Sequence, residues 1–386
     1  QRTPVTVSHP KVFCNEFAKT FWVPVFQPFY DNSVMPSSRL TVLIADDSAL
    51  YRQMLQNVLQ RIPNVDIVGT AVDGADAVAQ TLEHRPDVIT LDIQMPKLDG
   101  LGVLRELRAR GSRTKAIVVS SLTLDGTPAT VEALMEGAFD VIAKPVAVDP
   151  HIARASIHEA LIEKLAAIVD GEAAPAAAAG AVARRIVAHR GAPAIEAIAI
   201  GTSTGGPRAL RCVIPLLPAD LRVPVMVVQH MPAGFTASLA TRLNEISPLR
   251  VCEAAHGDLV EAGHVLVAAG GWHLTVERHP AGMRCVLDAG PLRHGCRPSF
   301  DSLLETMVAI YGGRMLAVVM TGMGQDGLAG CRAVKQAGGT VITQAAEGCA
   351  VYGMPKVVVE AGLADAVLPV ESLAEAITAA VGGRRG

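Results

Sequence analysis

Short apolar runs alternate with amphipathic segments along most of the chain. In the first half the apolar runs are Leu40–Ala45, Val65–Thr70, Val88–Leu91, Ile117–Val119 and Val141–Ala143. Between them, apolar residues recur at helical spacing; after Ser48 these are Leu50, Met54, Leu55, Val58 and Leu59. Buried strands separated by helices are typical of parallel sheets, so we predict five strand–helix units that end with a helix over His151–Asp170.

The same alternation begins again at Ala197. Apolar runs typical of buried strands occupy Ala197–Ile200, Val225–Val228, Val265–Ala268, Leu316–Met320 and Val341–Thr343. The predicted helices are Pro207–Leu216, Phe235–Ile246, Phe300–Ile310, Gly327–Gln336 and Val370–Val381. Only Cys252–Asp288 has shorter strands and turns, which we interpret as an antiparallel addition. The predicted fold class is α/β, with two doubly wound parallel-sheet domains.

Two segments fall outside these periodic halves. Residues 156–194 combine a helix with an Ala/Gly/Pro-rich stretch that cannot bury much surface, so we interpret them as a linker between domains at 39–155 and 195–384. Residues 1–38 contain seven of the fourteen aromatic residues and no strict periodicity. We expect a non-native or disordered N-terminal extension, with the natural start at Met35. Mass spectrometry that finds residues upstream of Met35 in the native protein would contradict this expectation.

Composition excludes several classes of protein. The net charge is −3 and no long basic run is present, which argues against nucleic acid as the main partner. No apolar run reaches the roughly 18 residues of a transmembrane helix, so we expect no membrane insertion. The seven cysteines include no Cys-x-x-Cys pair, which favours reduced thiols over disulfides or zinc. We therefore expect a cytoplasmic protein.

Polar side chains follow several predicted strands of the first half. Asp46 and Asp47 follow the first strand, Asp92 the third, Ser120 the fourth and Lys144 the fifth. Because carboxyl ends of parallel strands share one edge of a sheet, we expect these groups to meet there. Carboxylates suit Mg²⁺, and one beside the ion could attack phosphorus to form an acyl phosphate. The alternative is that the aspartates cap helices and the lysine is a solvated loop charge.

Three further groups follow strands of the second half. Ser203 lies in the glycine-rich turn Gly201–Gly206, His230 follows the second strand, and Asp326 follows a later one. A serine hydroxyl becomes a good nucleophile when an imidazole takes its proton and a carboxylate orients that imidazole. The backbone amides of Thr204 and Met323 could then face a developing oxyanion.

Simpler interpretations exist for each of these groups. The turn around Ser203 could bind phosphate or only join a strand to a helix. Asp326 could cap the helix that begins near Gly327. Most of the eleven histidines must be structural, and four of them lie in the less regular middle: His256, His264, His273 and His279.

Residues 40–155 resemble the receiver domains of two-component response regulators, which are flavodoxin-like. The resemblance implies that Asp92 is the phosphoacceptor, that Asp46 and Asp47 help it hold Mg²⁺, and that Ser120 and Lys144 are the switch residues. It also implies a histidine kinase as phosphodonor.

Five sequence blocks of the second half resemble the chemotaxis response-regulator protein-glutamate methylesterases: Gly-Thr-Ser-Thr-Gly-Gly-Pro at 201–207, Gln-His-Met-Pro-Ala-Gly-Phe-Thr at 229–236, Arg-Pro-Ser-Phe-Asp at 297–301, Thr-Gly-Met-Gly-Gln-Asp-Gly at 321–327 and Val-Tyr-Gly-Met-Pro at 351–355. The resemblance implies hydrolysis of glutamate γ-methyl esters on methyl-accepting chemoreceptors, with release of methanol, and deamidation of receptor glutamines. It implies Ser203 as nucleophile, His230 as base, Asp326 as orienting carboxylate, Thr204 and Met323 as oxyanion donors, and no metal for the esterase step. It also implies that the unphosphorylated receiver blocks the esterase.

Two other functions are compatible with parts of the sequence. The chain could be a non-enzymatic module whose receiver controls a glycine-rich domain that only binds a partner or a nucleotide. A methanol-release assay with Ser203→Ala separates the two functions, because a binding module would show no turnover that depends on the serine. A DNA-binding regulator fits poorly, because no basic recognition helix is apparent and the second half is built on a parallel sheet.

Overall fold

The computed structural model describes residues 38–121, 126–145, 149–172 and 194–382. Almost all of the expected extension at 1–38, and residues 173–193 of the predicted linker, lie outside the described residues. No described helix combines the length and the apolar character needed to cross a bilayer.

The first sheet has five parallel strands. They are β1 (Leu40–Ala45), β2 (Val65–Ala71), β3 (Val88–Leu91), β4 (Lys115–Ser120) and β5 (Asp140–Ala143), in the order β2-β1-β3-β4-β5. The helices are α1 (Ala49–Leu59), α2 (Gly74–His84), α3 (Gly100–Ala109), α4 (Gly126–Met135) and α5 (Pro150–Glu172). The strand order reverses between β1 and β3, which is where an open parallel sheet forms its binding crevice. The predicted flavodoxin-like fold of this half is confirmed.

The second sheet has seven parallel strands. In chain order the strands of this half are β6 (Ala197–Thr202), β7 (Val225–Gln229), β8 (Arg250–Glu253), β9 (His264–Val267), β10 (His273–His279), β11 (Gly282–Asp288), β12 (Met315–Val319), β13 (Thr340–Gln344) and β14 (Ala366–Leu368). The helices are α6 (Gly206–Val213), α7 (Phe235–Ile246), α8 (Phe300–Tyr311), α9 (Leu328–Gln336), α10 (Met354–Glu360) and α11 (Val370–Gly382). The sheet order is β14-β13-β12-β6-β7-β9-β8, and β10 pairs with β11 in a separate antiparallel sheet. Because β6 lies between β7 and β12, the strand order reverses beside it.

The predicted antiparallel addition is smaller than the segment expected for it. Only β10 and β11 are antiparallel, whereas β8 and β9 pair in parallel at the edge of the main sheet. The segment between β8 and β9 lies against β11 instead of forming a crossover helix, with Val260 N donating to Met283 O at 2.8 Å and Cys285 N to Asp258 O at 2.8 Å. The sequence between β8 and β9 shows no helical pattern, so the parallel pairing of these two strands was not predicted.

Helix α6 is also shorter than predicted. It ends at Val213, and Ile214–Leu216 continues as a 3₁₀ turn. Pro215 has no amide hydrogen to donate and its ring opposes a further α-helical turn, which accounts for the change.

The two halves pack against each other through α4 of the first half and α6 of the second half. Val131, Leu134 and Met135 of α4 belong to the same buried cluster as Leu210 and Val213 of α6. A second apolar contact joins α5 to the loops of the second half: Ile157 and Leu161 share a cluster with Val351, and Met323 and Ala350 pack against that cluster. The face of the second half that carries the glycine-rich turns is therefore partly covered by the first half.

The close packing of β6 on α8 gives a testable prediction. A Cβ placed on Gly201 would overlap the ring of Phe300, which is fully buried. We expect Gly201→Ala to destabilise the protein by roughly 1–3 kcal/mol, because overpacking forces a shift of backbone or ring. Thermal unfolding followed by circular dichroism measures the effect. The control is Gly382→Ala in α11, where a Cβ meets no atom within 4 Å; an unfolding midpoint that falls equally in both variants would contradict the prediction.

Candidate active site

Ser203 lies in the sharp turn between β6 and α6. Its backbone amide donates to Thr321 O at 3.0 Å, which ties the turn to the end of β12. Gly205 adopts φ 76°, a conformation that favours glycine, and Pro207 lies in the first turn of α6. Gly322 approaches so closely that a Cβ there would lie 2.7 Å from the Ser203 Cβ. The half-buried serine is therefore held between β6 and β12, at the reversal of strand order.

His230 is placed next to Ser203 by the pairing of β6 with β7. Its backbone amide donates to Thr202 O at 3.1 Å. The buried Gln229 side chain strengthens this arrangement, because its Nε2 donates to Ser203 O at 2.9 Å and to His230 O at 3.1 Å. Its Oε1 accepts from the Thr202 hydroxyl at 2.6 Å. Sequence reasoning assigned no role to Gln229, although a polar residue at the end of an otherwise apolar strand was a usable signal.

Asp326 accepts four hydrogen bonds and is 1% exposed. His230 Nε2 lies 2.8 Å from its Oδ2, which also accepts from the Phe300 amide at 2.6 Å. Oδ1 accepts from the Ser299 hydroxyl at 2.8 Å and the Asp301 amide at 3.0 Å. Asp326 thus binds the N-terminus of α8, whereas α9 begins after Gly327 without a side-chain cap. The simpler interpretation, that Asp326 caps the helix beginning near Gly327, is therefore wrong.

Opposite electrostatic effects act on the two members of this pair. Burial alone would raise the pKa of Asp326, but the hydrogen bond and charge of His230 and the amides of α8 lower it below its usual 3.8. Burial alone would lower the pKa of His230, but the hydrogen bond to Asp326 and the neighbouring Cys296 raise it above its usual 6.5. The ionised Asp326 carboxylate therefore stabilises His230 when the ring takes up a proton.

The structure brings Ser203 to this pair through the backbone. Across the described ranges, no hydrogen bond engages the Ser203 hydroxyl, so it is available to react. Because Nε2 of His230 faces Asp326, Nδ1 is the ring nitrogen left to accept a proton from a neighbouring hydroxyl.

Two amides named from the sequence lie beside the serine turn. Within the part of the chain that the structure describes, the backbone amides of Thr204 and Met323 have no acceptor. Thr204 follows Ser203 at the start of the turn into α6, and Met323 follows Gly322, which contacts Ser203. Such unpaired amides can stabilise an oxyanion that forms next to Ser203.

A second cluster lies at the strand ends of the first sheet. Potential ligand oxygens of Asp46, Asp47 and Asp92 lie within 4.8 Å of one another. Lys144 Nζ lies 2.8 Å from Asp92 Oδ2 and 2.9 Å from Asp46 Oδ2. Burial raises the pKa of Asp92; Lys144 opposes this effect and the charge of Asp46 adds to it. A group of carboxylate oxygens that includes the buried Asp46 and Asp92 fits a hard divalent cation such as Mg²⁺.

Ser120 lies beside this cluster but its hydroxyl faces α4. Lys144 N donates to Ser120 O at 2.7 Å, so the two residues are neighbours across β4 and β5. The Ser120 hydroxyl accepts from the Thr130 hydroxyl at 2.7 Å. A movement of Ser120 would therefore act directly on α4 through this hydrogen bond.

One polar contact connects the two halves next to the serine turn. The Thr204 hydroxyl donates to Asp140 Oδ2 at 2.6 Å, and Lys164 Nζ of α5 lies 2.8 Å from the same oxygen. Asp140 begins β5, whereas Lys144 follows its end. Sequence reasoning did not identify Asp140 or Lys164, because Thr204 lies 64 residues from Asp140 in the chain and Lys164 contacts only Asp140 in this group.

Comparison with known proteins agrees with this organisation. Residues 42–156 match the response regulator receiver domain family, and residues 198–377 match the CheB methylesterase family. A protein-glutamate methylesterase/protein-glutamine glutaminase of Symbiobacterium thermophilum is 46% identical, over 89% of this chain and 97% of the relative. One from Geobacillus kaustophilus is 38% identical, over 89% and 99%. A solved CheB methylesterase catalytic domain from Thermotoga maritima is 44% identical and covers 48% of this chain and 98% of its own, with a TM-score of 0.47.

The electrostatic coupling of His230 to Asp326 can be measured directly. In Asp326→Asn the imidazole loses its counter-charge while it stays buried, so we expect its pKa to fall by roughly 1 to 3 pH units. Titration of the His230 ring signals by NMR measures this change. Ser203→Ala is the matched control, because it leaves the pair intact; an equal pKa of His230 in the wild type and in Asp326→Asn would contradict the assignment.

Proposed function

Because the chain belongs to the protein-glutamate methylesterase/protein-glutamine glutaminase family, we propose that Ser203, His230 and Asp326 form its catalytic triad. The protein is a hydrolase with a response-regulator receiver domain, and its ester substrate is protein-glutamate γ-methyl ester. The observation that carries the triad proposal is the 2.8 Å contact of His230 with the buried Asp326, next to the serine turn.

In the proposed reaction, Ser203 Oγ attacks the ester carbonyl while Nδ1 of His230 accepts the serine proton. The amides of Thr204 and Met323 stabilise the resulting oxyanion. When the tetrahedral intermediate collapses, the C–O bond to the methoxy group breaks and His230 returns the proton, so that methanol leaves. Water then attacks the acyl-enzyme with His230 again as base, which yields glutamate and free Ser203. Attack on a glutamine amide follows the same course and releases ammonia.

Asp326 keeps the imidazole aligned and stabilises its protonated form during both transfers. Burial makes this contribution strong, because it excludes solvent that would otherwise screen the attraction between the carboxylate and the protonated ring. The Gln229 side chain links the backbone carbonyls of Ser203 and His230, which holds the two residues next to each other.

We further propose that Asp92 is the phosphoacceptor, that Asp46, Asp47 and Asp92 hold Mg²⁺, and that a histidine kinase supplies the phosphoryl group. Bound Mg²⁺ would neutralise charge on the transferred phosphoryl group. Lys144 Nζ, which lies 2.8 Å from Asp92 Oδ2, would pair with the phosphorylated residue, and the hydrogen bond of Ser120 to Thr130 would link that site to α4.

The proposed substrates are methyl-accepting chemoreceptors, and the proposed place of action is the cytoplasm. The six cysteines within the described ranges are all free thiols, as expected in a reducing compartment.

The contact of Thr204 with Asp140 supports a further proposal about regulation. The receiver, which we assign to 39–155, binds the residue next to the nucleophile, while α5 packs near Met323 and Val351. In this arrangement the receiver occupies space that a protein substrate needs to approach Ser203. Phosphorylation of Asp92 would release the catalytic domain, which we assign to 195–384 and connect through the linker at 156–194.

Removing the phosphoacceptor tests this regulation. We expect Asp92→Asn to keep the basal esterase activity and to lose stimulation by a small phosphodonor, because no acyl phosphate can form. Methanol release from methylated receptor membranes, with and without phosphodonor, measures both quantities. Ser203→Ala supplies the background of the assay. Stimulation of Asp92→Asn equal to that of the wild type would refute the proposal.

Charge reversal at the interface tests the blocking role independently. Glu132 of α4 forms an ion pair with Arg242 of α7. We expect Glu132→Arg to repel Arg242 and loosen the receiver, which would raise basal methanol release by roughly 5-fold or more. The control is the exchanged pair Glu132→Arg with Arg242→Glu, which restores attraction and should lower the basal rate again. Basal activity that does not rise in the single variant would count against the blocking contact.

A further inference from the structure

The motif Arg297–Asp301 has no role in the reaction as described so far, yet its central residue contacts the triad carboxylate. Ser299 is fully buried, and its hydroxyl donates to Asp326 Oδ1 at 2.8 Å. Ser299 Oγ also accepts from the Ser302 amide at 3.4 Å, as the N-cap of α8. One hydroxyl group therefore connects the start of α8 to the carboxylate that faces His230.

The distribution of donors around Asp326 gives this hydroxyl a specific task. Oδ2 contacts His230 Nε2 and the Phe300 amide, whereas Oδ1 accepts from the Ser299 hydroxyl and the Asp301 amide. A carboxylate can rotate about its Cβ–Cγ bond unless both oxygens are held. The two donors on Oδ1 therefore fix the plane in which Oδ2 meets the imidazole.

Ser299 is itself held by a histidine that is 2% exposed. The Ser299 amide donates to His273 Nδ1 at 3.1 Å, and His273 Nε2 lies 2.9 Å from Pro291 O. Because an amide N–H can only donate, Nδ1 is the acceptor and Nε2 carries the proton given to Pro291. His273 begins β10, so the small antiparallel sheet supports the position of Ser299.

We propose that Ser299 is a positioning residue of the esterase: its hydroxyl fixes the plane of the Asp326 carboxylate, so that Oδ2 keeps His230 aligned during turnover. The inference rests on the proposed triad. Ser299 acts through Asp326 and does not contact the substrate. His273 secures Ser299 from the side opposite the carboxylate.

Substitution of Ser299 tests the proposal in the full-length protein. In Ser299→Ala we expect kcat to fall roughly 10-fold with KM unchanged, because misalignment affects the chemical step. We also expect the NMR signal of the His230 Nε2 proton to shift or broaden, which a purely structural role would not cause. Ser299→Thr keeps a hydroxyl donor and should recover both kcat and the signal.

A further variant separates the carboxylate contact from the cap of α8. Glycine is tolerated at N-cap positions, so Ser299→Gly preserves the start of α8 but lacks the donor. It should reproduce the kinetic loss and the altered proton signal, and it decides the question if Ser299→Ala folds poorly.

Asp326→Asn distinguishes failure of this inference from failure of the triad. If Asp326→Asn is inactive while Ser299→Ala and Ser299→Gly keep the wild-type kcat and His230 signal, the triad stands and the positioning role is overturned. If Asp326→Asn retains full activity, the triad itself is overturned, and the role of Ser299 with it.

Discussion

The carboxylate of Asp326 is almost fully buried, and hydrogen-bond donors surround it. Burial of an ionised group without partners costs several kcal/mol. Two backbone amides at the start of α8, one hydroxyl and one imidazole compensate for it here. The position of α8, the loop that leads into it and the orientation of His230 all follow from this requirement. The contacts that stabilise the buried carboxylate are therefore the same ones that the proposed triad uses.

Sheet topology explains why residues distant in the chain meet at this carboxylate. Ser203 follows β6, and Asp326 lies in the loop after β12, on the neighbouring strand. His230 follows β7 on the other side of β6. The first sheet uses the same arrangement, because Asp46 follows β1 and Asp92 follows its neighbour β3. Both proposed sites thus lie where the order of parallel strands reverses, although their proposed chemistry differs.

The candidate site residues that sequence reasoning named are those that a local sequence pattern marks. Ser203, His230 and Asp92 each follow an apolar run, and the shared edge of a parallel sheet accounts for their convergence. Gln229, Ser299 and His273 were missed because their roles depend on partners brought together by tertiary structure. His273 was set aside as one of several histidines in an irregular segment, where the structure shows it buried and hydrogen-bonded at both ring nitrogens. The parallel pairing of β8 and β9 was missed for a similar reason, since a connection without a helix carries no periodic signal.

In the regulation proposed above, the hydrogen bond between Thr204 and Asp140 would make docking of the receiver and approach of a substrate competing events at one surface. Two such events obey a thermodynamic reciprocity. If docking lowers the affinity for substrate by some factor, bound substrate lowers the equilibrium constant for docking by the same factor. A receptor tail held at high local concentration would therefore favour the undocked arrangement even before any phosphoryl group arrives. Abundance of methylated receptor and phosphorylation of the receiver would then act on a single equilibrium, each lowering the amount of the other needed to expose Ser203.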